Sequence, residues 1–190
     1  MVWMDSIEWR VHDLRVGDDA SKSTAAAALG NLAYMNPGNK VAIAEAGGVP
    51  LLVQLLRNGT VKAKVNAART LGNLAMHNDV NAVTIGEAGG IPPLVELARD
   101  QGALEALTTL NVITLNNDTN TVAFAVAVSS DALVELARHG RVTFKGYWLA
   151  YNAGLPAKRK AALVVAQLIE ATAPRTRVSR YIKAAIGSYL

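Results

Sequence analysis

Apolar residues recur along this chain at helical intervals. Trp3, Ile7, Val11 and Leu14 follow one another at spacings of four, four and three, one face of a helix over 3–16. Gly17 stops it. Asp18 and Asp19 then supply a cap and favourable negative charge for the next helix, about 20–34. Leu29 and Leu32 are the larger core residues of that helix, and its alanines allow neighbouring helices to approach closely. Asn36-Pro37-Gly38-Asn39 reads as a turn. A short helix carrying Val41, Ile43 and Ala44 follows and ends at Gly47-Gly48, where glycine takes the left-handed backbone that closes a helix. Pro50 falls in the first turn of the next helix, where its missing N–H costs nothing. Leu51, Leu52, Val53, Leu55 and Leu56 make that helix too apolar for the surface, so it is expected to be buried on most sides.

The pattern then starts again. Sliding 7–60 onto 49–102 needs no gap and gives 25 identities in 54 positions, a period of 42 residues. Ala25 to Ala33 returns as Ala67 to Ala75, with Leu-Gly-Asn-Leu-Ala unchanged, and Glu45-Ala46-Gly47-Gly48-Val49-Pro50 returns as Glu87-Ala88-Gly89-Gly90-Ile91-Pro92. A third copy follows at an offset of 39: Asn117-Asp118-Thr119-Asn120 matches Asn78 to Asn81, and Leu133 to Arg138 repeats Leu94 to Arg99 without change. Here Ser129-Ser130-Asp131 replaces the glycine-proline corner. A fixed period of this size marks stacked supersecondary units, each shielding the apolar side of the next.

The three-helix unit, its Glu-Ala-Gly-Gly-Val/Ile-Pro corner and its Ala-x-x-Leu-Gly-Asn-Leu-Ala helix resemble the armadillo repeat over about 7–138. The resemblance implies an all-α fold, a right-handed α-solenoid of armadillo-type three-helix repeats forming a single domain over 1–190. Its expected parts are a partial repeat over 1–35, repeats over 36–77 and 78–116, a degenerate repeat over 117–172 with an insertion at 140–157, and a cap helix over 173–190. It also implies a concave groove lined by the third helices, in which a helix Asn holds the backbone of an extended peptide. Asn31 and Asn73 match that position. A carboxamide suits the task, because it both donates to a peptide C=O and accepts from a peptide N–H. Helical spacing places Thr24, Ala27, Asn31 and Met35 along one strip, and Asn66, Arg69, Asn73 and His77 along its equivalent. Nuclear-import receptors of this family carry a Trp four residues before the Asn. Ala27 and Arg69 stand there instead, and Arg69 favours an acidic or polar ligand over a basic one. The third copy has Val112 at the aligned position, with Asn111 one residue away, so the ladder is expected to have two rungs.

Composition narrows the picture further. The 190 residues contain no cysteine, which excludes disulfides and thiolate metal sites and favours an intracellular, cytoplasmic or nuclear setting. Residues 1–140 hold 10 Lys and Arg against 14 Asp and Glu, whereas 141–190 hold 9 against the single Glu170. Lys158, Arg159, Lys160, Arg175, Arg177, Arg180 and Lys183 form the basic end. They offer an alternative role, an adaptor docking on nucleic acid or anionic membrane. Phe144, Tyr147, Trp148 and Tyr151 are expected to cover the end of the solenoid. The chain starts on the second helix of a unit, so self-association through an open N-terminal face led by Trp3 and Trp9 is a further expectation. His12, His77 and His139 lie too far apart in sequence for a metal motif. There is no phosphate loop and no nucleophile in a recognisable setting. The reading is a non-enzymatic interaction module without a cofactor, whose partner is a protein or peptide.

Overall fold

The structure is a computed structural model that describes residues 6–101, 103–115, 117–120, 123, 124 and 127. Every element among the described residues is a helix: α1 (Ile7–Val16), α2 (Asp19–Ala33), α3 (Pro37–Glu45), α4 (Gly48–Asn58), α5 (Val61–Ala75), α6 (Asp79–Glu87), α7 (Ile91–Gln101) and α8 (Leu104–Thr114). The chain divides into two compact units, Met1–Ile113 and Thr114–Leu190. All eight helices belong to the first, apart from the last residue of α8. The 42-residue period is kept almost to the residue. Helices α2 and α5 each have 15 residues, α3 and α6 each have 9, and α4 and α7 each have 11. Helices α3–α5 form one complete unit and α6–α8 the next, while α1 and α2 correspond to the last two helices of a unit.

Local chemistry sets the boundaries. Ser6, Asp18 and Thr60 cap α1, α2 and α5 by accepting a hydrogen bond from the backbone N–H three residues on. Asn36, Asn78 and Asn117 do the same for Asn39, Asn81 and Asn120, so the period carries its own start signal. Asn36-Pro37-Gly38-Asn39 is therefore the cap and first turn of α3, with Pro37 at its first position, and not the turn before the helix. The true turn lies one step earlier. Asn36 N–H donates to the Ala33 carbonyl at 3.2 Å, Tyr34 is extended (φ −62°, ψ 121°) and Met35 is left-handed (φ 51°). This is a type II turn with a methionine where glycine is usual. It recurs with Met76 (φ −59°, ψ 115°) and His77 (φ 56°), closed by Asn78 N–H on the Ala75 carbonyl at 2.9 Å.

The corners behave as the sequence implied, with Gly47 and Gly89 at φ 80° and 72°. Helix α4 is more one-sided than its leucines suggested. Val49, Leu52, Val53, Leu55 and Leu56 are buried, but Pro50, Gln54 and Arg57 stay exposed because steps of four and three residues put them on one wet stripe. The core runs through Leu29, Ile43, Leu52, Leu56, Leu71, Leu74, Ile85, Ile91 and Leu94.

The units are stitched by side chains that donate to backbone carbonyls of the preceding unit. Thr70 Oγ1 donates to the Ala26 carbonyl, and Thr109 Oγ1 to the Ala68 carbonyl, each at 2.7 Å. A Cβ on Gly30 would lie 2.5 Å from Thr70 Oγ1, and one on Gly72 would lie 2.6 Å from Thr109 Oγ1. The glycine in Leu-Gly-Asn-Leu-Ala thus exists to admit the threonine of the next unit. Asn81 donates to the carbonyls of Lys40 and Leu74. Arg57 donates to those of Ala88 and Gly89 at the next corner. Lys40 is only 5% exposed, and its ammonium donates to the Met76 carbonyl at the end of α5. Burial pushes its pKa below the ordinary lysine value.

Candidate functional site

Helices α2 and α5 lie side by side and present the repeated asparagine to the same pocket. Asn31, Tyr34, Arg69 and Asn73 line an open cavity of about 420 Å³. The two helices are held in register along their length. Asn66 Nδ2 donates to the Ser23 carbonyl and hydroxyl, Thr70 to Ala26, and Asn73 Nδ2 to the Gly30 carbonyl at 2.9 Å.

The two asparagines are therefore not equivalent. Asn73 is half-buried and one of its amide hydrogens serves the seam, which fixes the orientation of its carboxamide and leaves Oδ1 without a donor among the described residues. Asn31 is exposed, and its amide has no hydrogen-bond partner among the described residues. Arg69 is exposed, and its guanidinium makes no ion pair or hydrogen bond among them. Helix α5 contributes Lys62, Lys64 and Arg69 and no acid, so this helix is positive although residues 1–140 as a whole are negative.

The remaining residues of the two expected strips fall around the pocket and not in its lining. Thr24 is exposed and donates its hydroxyl to the Ala20 carbonyl, and Ala27 is half-buried. Asn66 turns its amide into the α2–α5 seam. Met35 and His77 sit past the helix ends on the type II turns, both exposed. Tyr34 lies outside both expected strips. Helical spacing carries the strip from Asn31 to Met35, but the helix ends at Ala33, and the extended backbone at Tyr34 brings that side chain to the pocket instead. Val112 on α8 is half-buried at the third rung position, and Asn111 beside it is exposed.

Trp9 is exposed and its ring lies 5.9 Å from that of His12, whereas Trp3 lies outside the described residues. The aromatic group 144–151 and the basic candidates Lys158, Arg159, Lys160, Arg175, Arg177, Arg180 and Lys183 also lie outside them. Among the described residues no three His, Asp or Glu side chains gather where they could hold a metal ion, and no helix is long and apolar enough to cross a membrane.

Residues 36–76 match the armadillo/beta-catenin-like repeat family. That span is α3, α4 and α5 with their connections, one whole unit of the observed period. That stretch is similar to a single armadillo repeat. A sequence search of curated proteins finds no significant match. Solved structures agree on the armadillo fold. An engineered protein superposes with a TM-score of 0.65 at 23% identity, covering 96% of this chain and 85% of its own. The designed armadillo repeat protein YIII(Dq)4CqI gives 0.62 at 22% identity, covering 97% and 82%. A designed armadillo repeat protein in complex with the peptide (KR)4 gives 0.51 at 17% identity, covering 97% and 99%. At these identities the likeness shows the fold, an armadillo-type α-solenoid.

Proposed function

We propose that this armadillo-type solenoid is a non-enzymatic scaffold that holds an extended segment of a partner protein across α2 and α5. The observation that carries the reading is the pocket itself. Two carboxamides from successive units share one lining, and both have hydrogen-bonding capacity left over. Asn31 offers donor and acceptor to a peptide backbone, and Asn73 offers its acceptor. The designed armadillo protein that binds (KR)4 shows that the fold supports peptide binding. Arg69 gives the present groove the opposite charge preference, against a basic segment and for an acidic or polar one.

The test is affinity capture from native extract with the wild type and the Asn31→Ala/Asn73→Ala double variant. A protein partner retained by the wild type and lost by the variant is expected. Equal capture by both, with the helical circular dichroism of the variant intact, refutes the groove as the binding face.

A further inference from the structure

Resting on the groove reading above, we infer that the pocket seats one internal Asp or Glu side chain of the bound segment, with Arg69, Asn31 and Tyr34 as its recognition residues. The four lining side chains include one cation and no acid. The Arg69 guanidinium has no partner among the described residues, and a planar fork of N–H donors matches a carboxylate in geometry as well as charge. The Asn31 amide and the Tyr34 hydroxyl have no hydrogen-bond partner among the described residues. Asn73 differs, because one of its amide hydrogens is committed to the Gly30 carbonyl, which leaves its oxygen and a single N–H. A carboxylate is repelled by that oxygen and drawn to the Asn31, Tyr34 and Arg69 side, while Asn73 Oδ1 accepts a peptide N–H. The occupant is thus a segment with one acid in a fixed register between the two rungs. The pocket is open to water, so the carboxylate contributes modestly, about a fivefold gain in affinity over an uncharged isostere.

The experiment uses the full chain and capped nonapeptides of one neutral extended sequence with Glu, Gln or Lys at the centre. Two further probes are the Gln peptide with a free C-terminal carboxylate and a phosphoserine peptide. Binding is read by NMR from the side-chain amide signals of Asn31 and Asn73 and the Nε–H signal of Arg69. The Glu peptide is expected to bind about fivefold more tightly than the Gln peptide, and the Lys peptide more weakly than both. Arg69→Gln should erase the Glu-over-Gln preference, Arg69→Glu should exchange Glu for Lys, and Tyr34→Phe should reduce the preference. Equal binding of Glu and Gln with both asparagines still responding ends this inference and leaves the groove reading standing. A preference confined to the free C-terminus or to phosphoserine overturns the internal carboxylate. No response of Asn31 or Asn73 to any probe ends both readings.

Discussion

Replacing Gly30 by alanine separates helix propensity from repeat stacking. Inside an unconstrained helix the change stabilises by about 1 kcal/mol, because glycine loses the most backbone entropy on folding. Here the added Cβ lands 2.5 Å from Thr70 Oγ1, inside any normal contact, with Thr70 Cβ at 3.4 Å and Cα at 3.5 Å behind it. The hydroxyl cannot simply rotate away. Its single hydrogen lies between the carbonyls of Ala26 at 2.7 Å and Asn66 at 2.9 Å, in a site with no exposed surface. Overpacking of this kind costs about 1–3 kcal/mol, and displacing the hydroxyl adds about 0.5–1.5 kcal/mol. Set against the propensity gain, the net expectation is a loss of about 2 kcal/mol. Urea unfolding followed by far-ultraviolet circular dichroism measures it, as a lower midpoint at unchanged slope. The double variant Gly30→Ala/Thr70→Ala removes the clashing oxygen, so its loss should be well below the sum of the single losses. A Gly30→Ala protein that is more stable than wild type by about 1 kcal/mol would show that the threonine does not set the approach of these helices.

Three other outcomes follow from the same geometry. His77→Gly relieves a left-handed backbone worth about 1–2 kcal/mol and gives back about 0.4–1 kcal/mol in unfolded-chain entropy, so it should raise the melting temperature slightly; a fall would refute the strain. Lys40 titrates below its ordinary 10.5 when folded, so as pH rises from its folded pKa toward 10.5 the unfolded chain binds more protons than the folded one. Stability should therefore increase with pH in that window, and the increase should vanish in Lys40→Met, as denaturant titrations at stepped pH would record. Asn81→Ala strips two buried carbonyls of a donor and should cost about 1–3 kcal/mol, more than Asn39→Ala, which breaks only the bond to the Leu32 carbonyl; equal losses from the two would contradict this.

Much of this was legible in the residues. The 42-residue offset locates the units, since helices of equal length must recur where identical corners do. Asn31 and Asn73 share a lining because each stands at the same point of the third helix. Other features were hidden for identifiable reasons. Tyr34 reaches the pocket through a backbone that leaves the helix at Ala33, and a periodicity argument carried on to Met35 cannot see that. Asn36-Pro37-Gly38-Asn39 has turn-like composition, yet an Asn followed by Pro is also a cap and a first helical position. The Gly30–Thr70 fit joins residues 40 apart, and nothing local to either announces the other. Nor does the motif reveal that Asn73 gives one hydrogen to Gly30, because that bond exists only once two units are stacked.

The clasps between α2 and α5 have unequal counterparts further along. Asn66, Thr70 and Asn73 each reach back to a carbonyl of α2, but the residues 39 positions on from them are Glu105, Thr109 and Val112. A carboxylate and an isopropyl group have no hydrogen to give, so of these three positions Thr109 alone keeps the grip. The first pair of third helices is a fixed ruler that presents its asparagines at an unvarying separation. Under load or denaturant, α5 and α8 should part before α2 and α5 do, like a zip with its lower teeth missing.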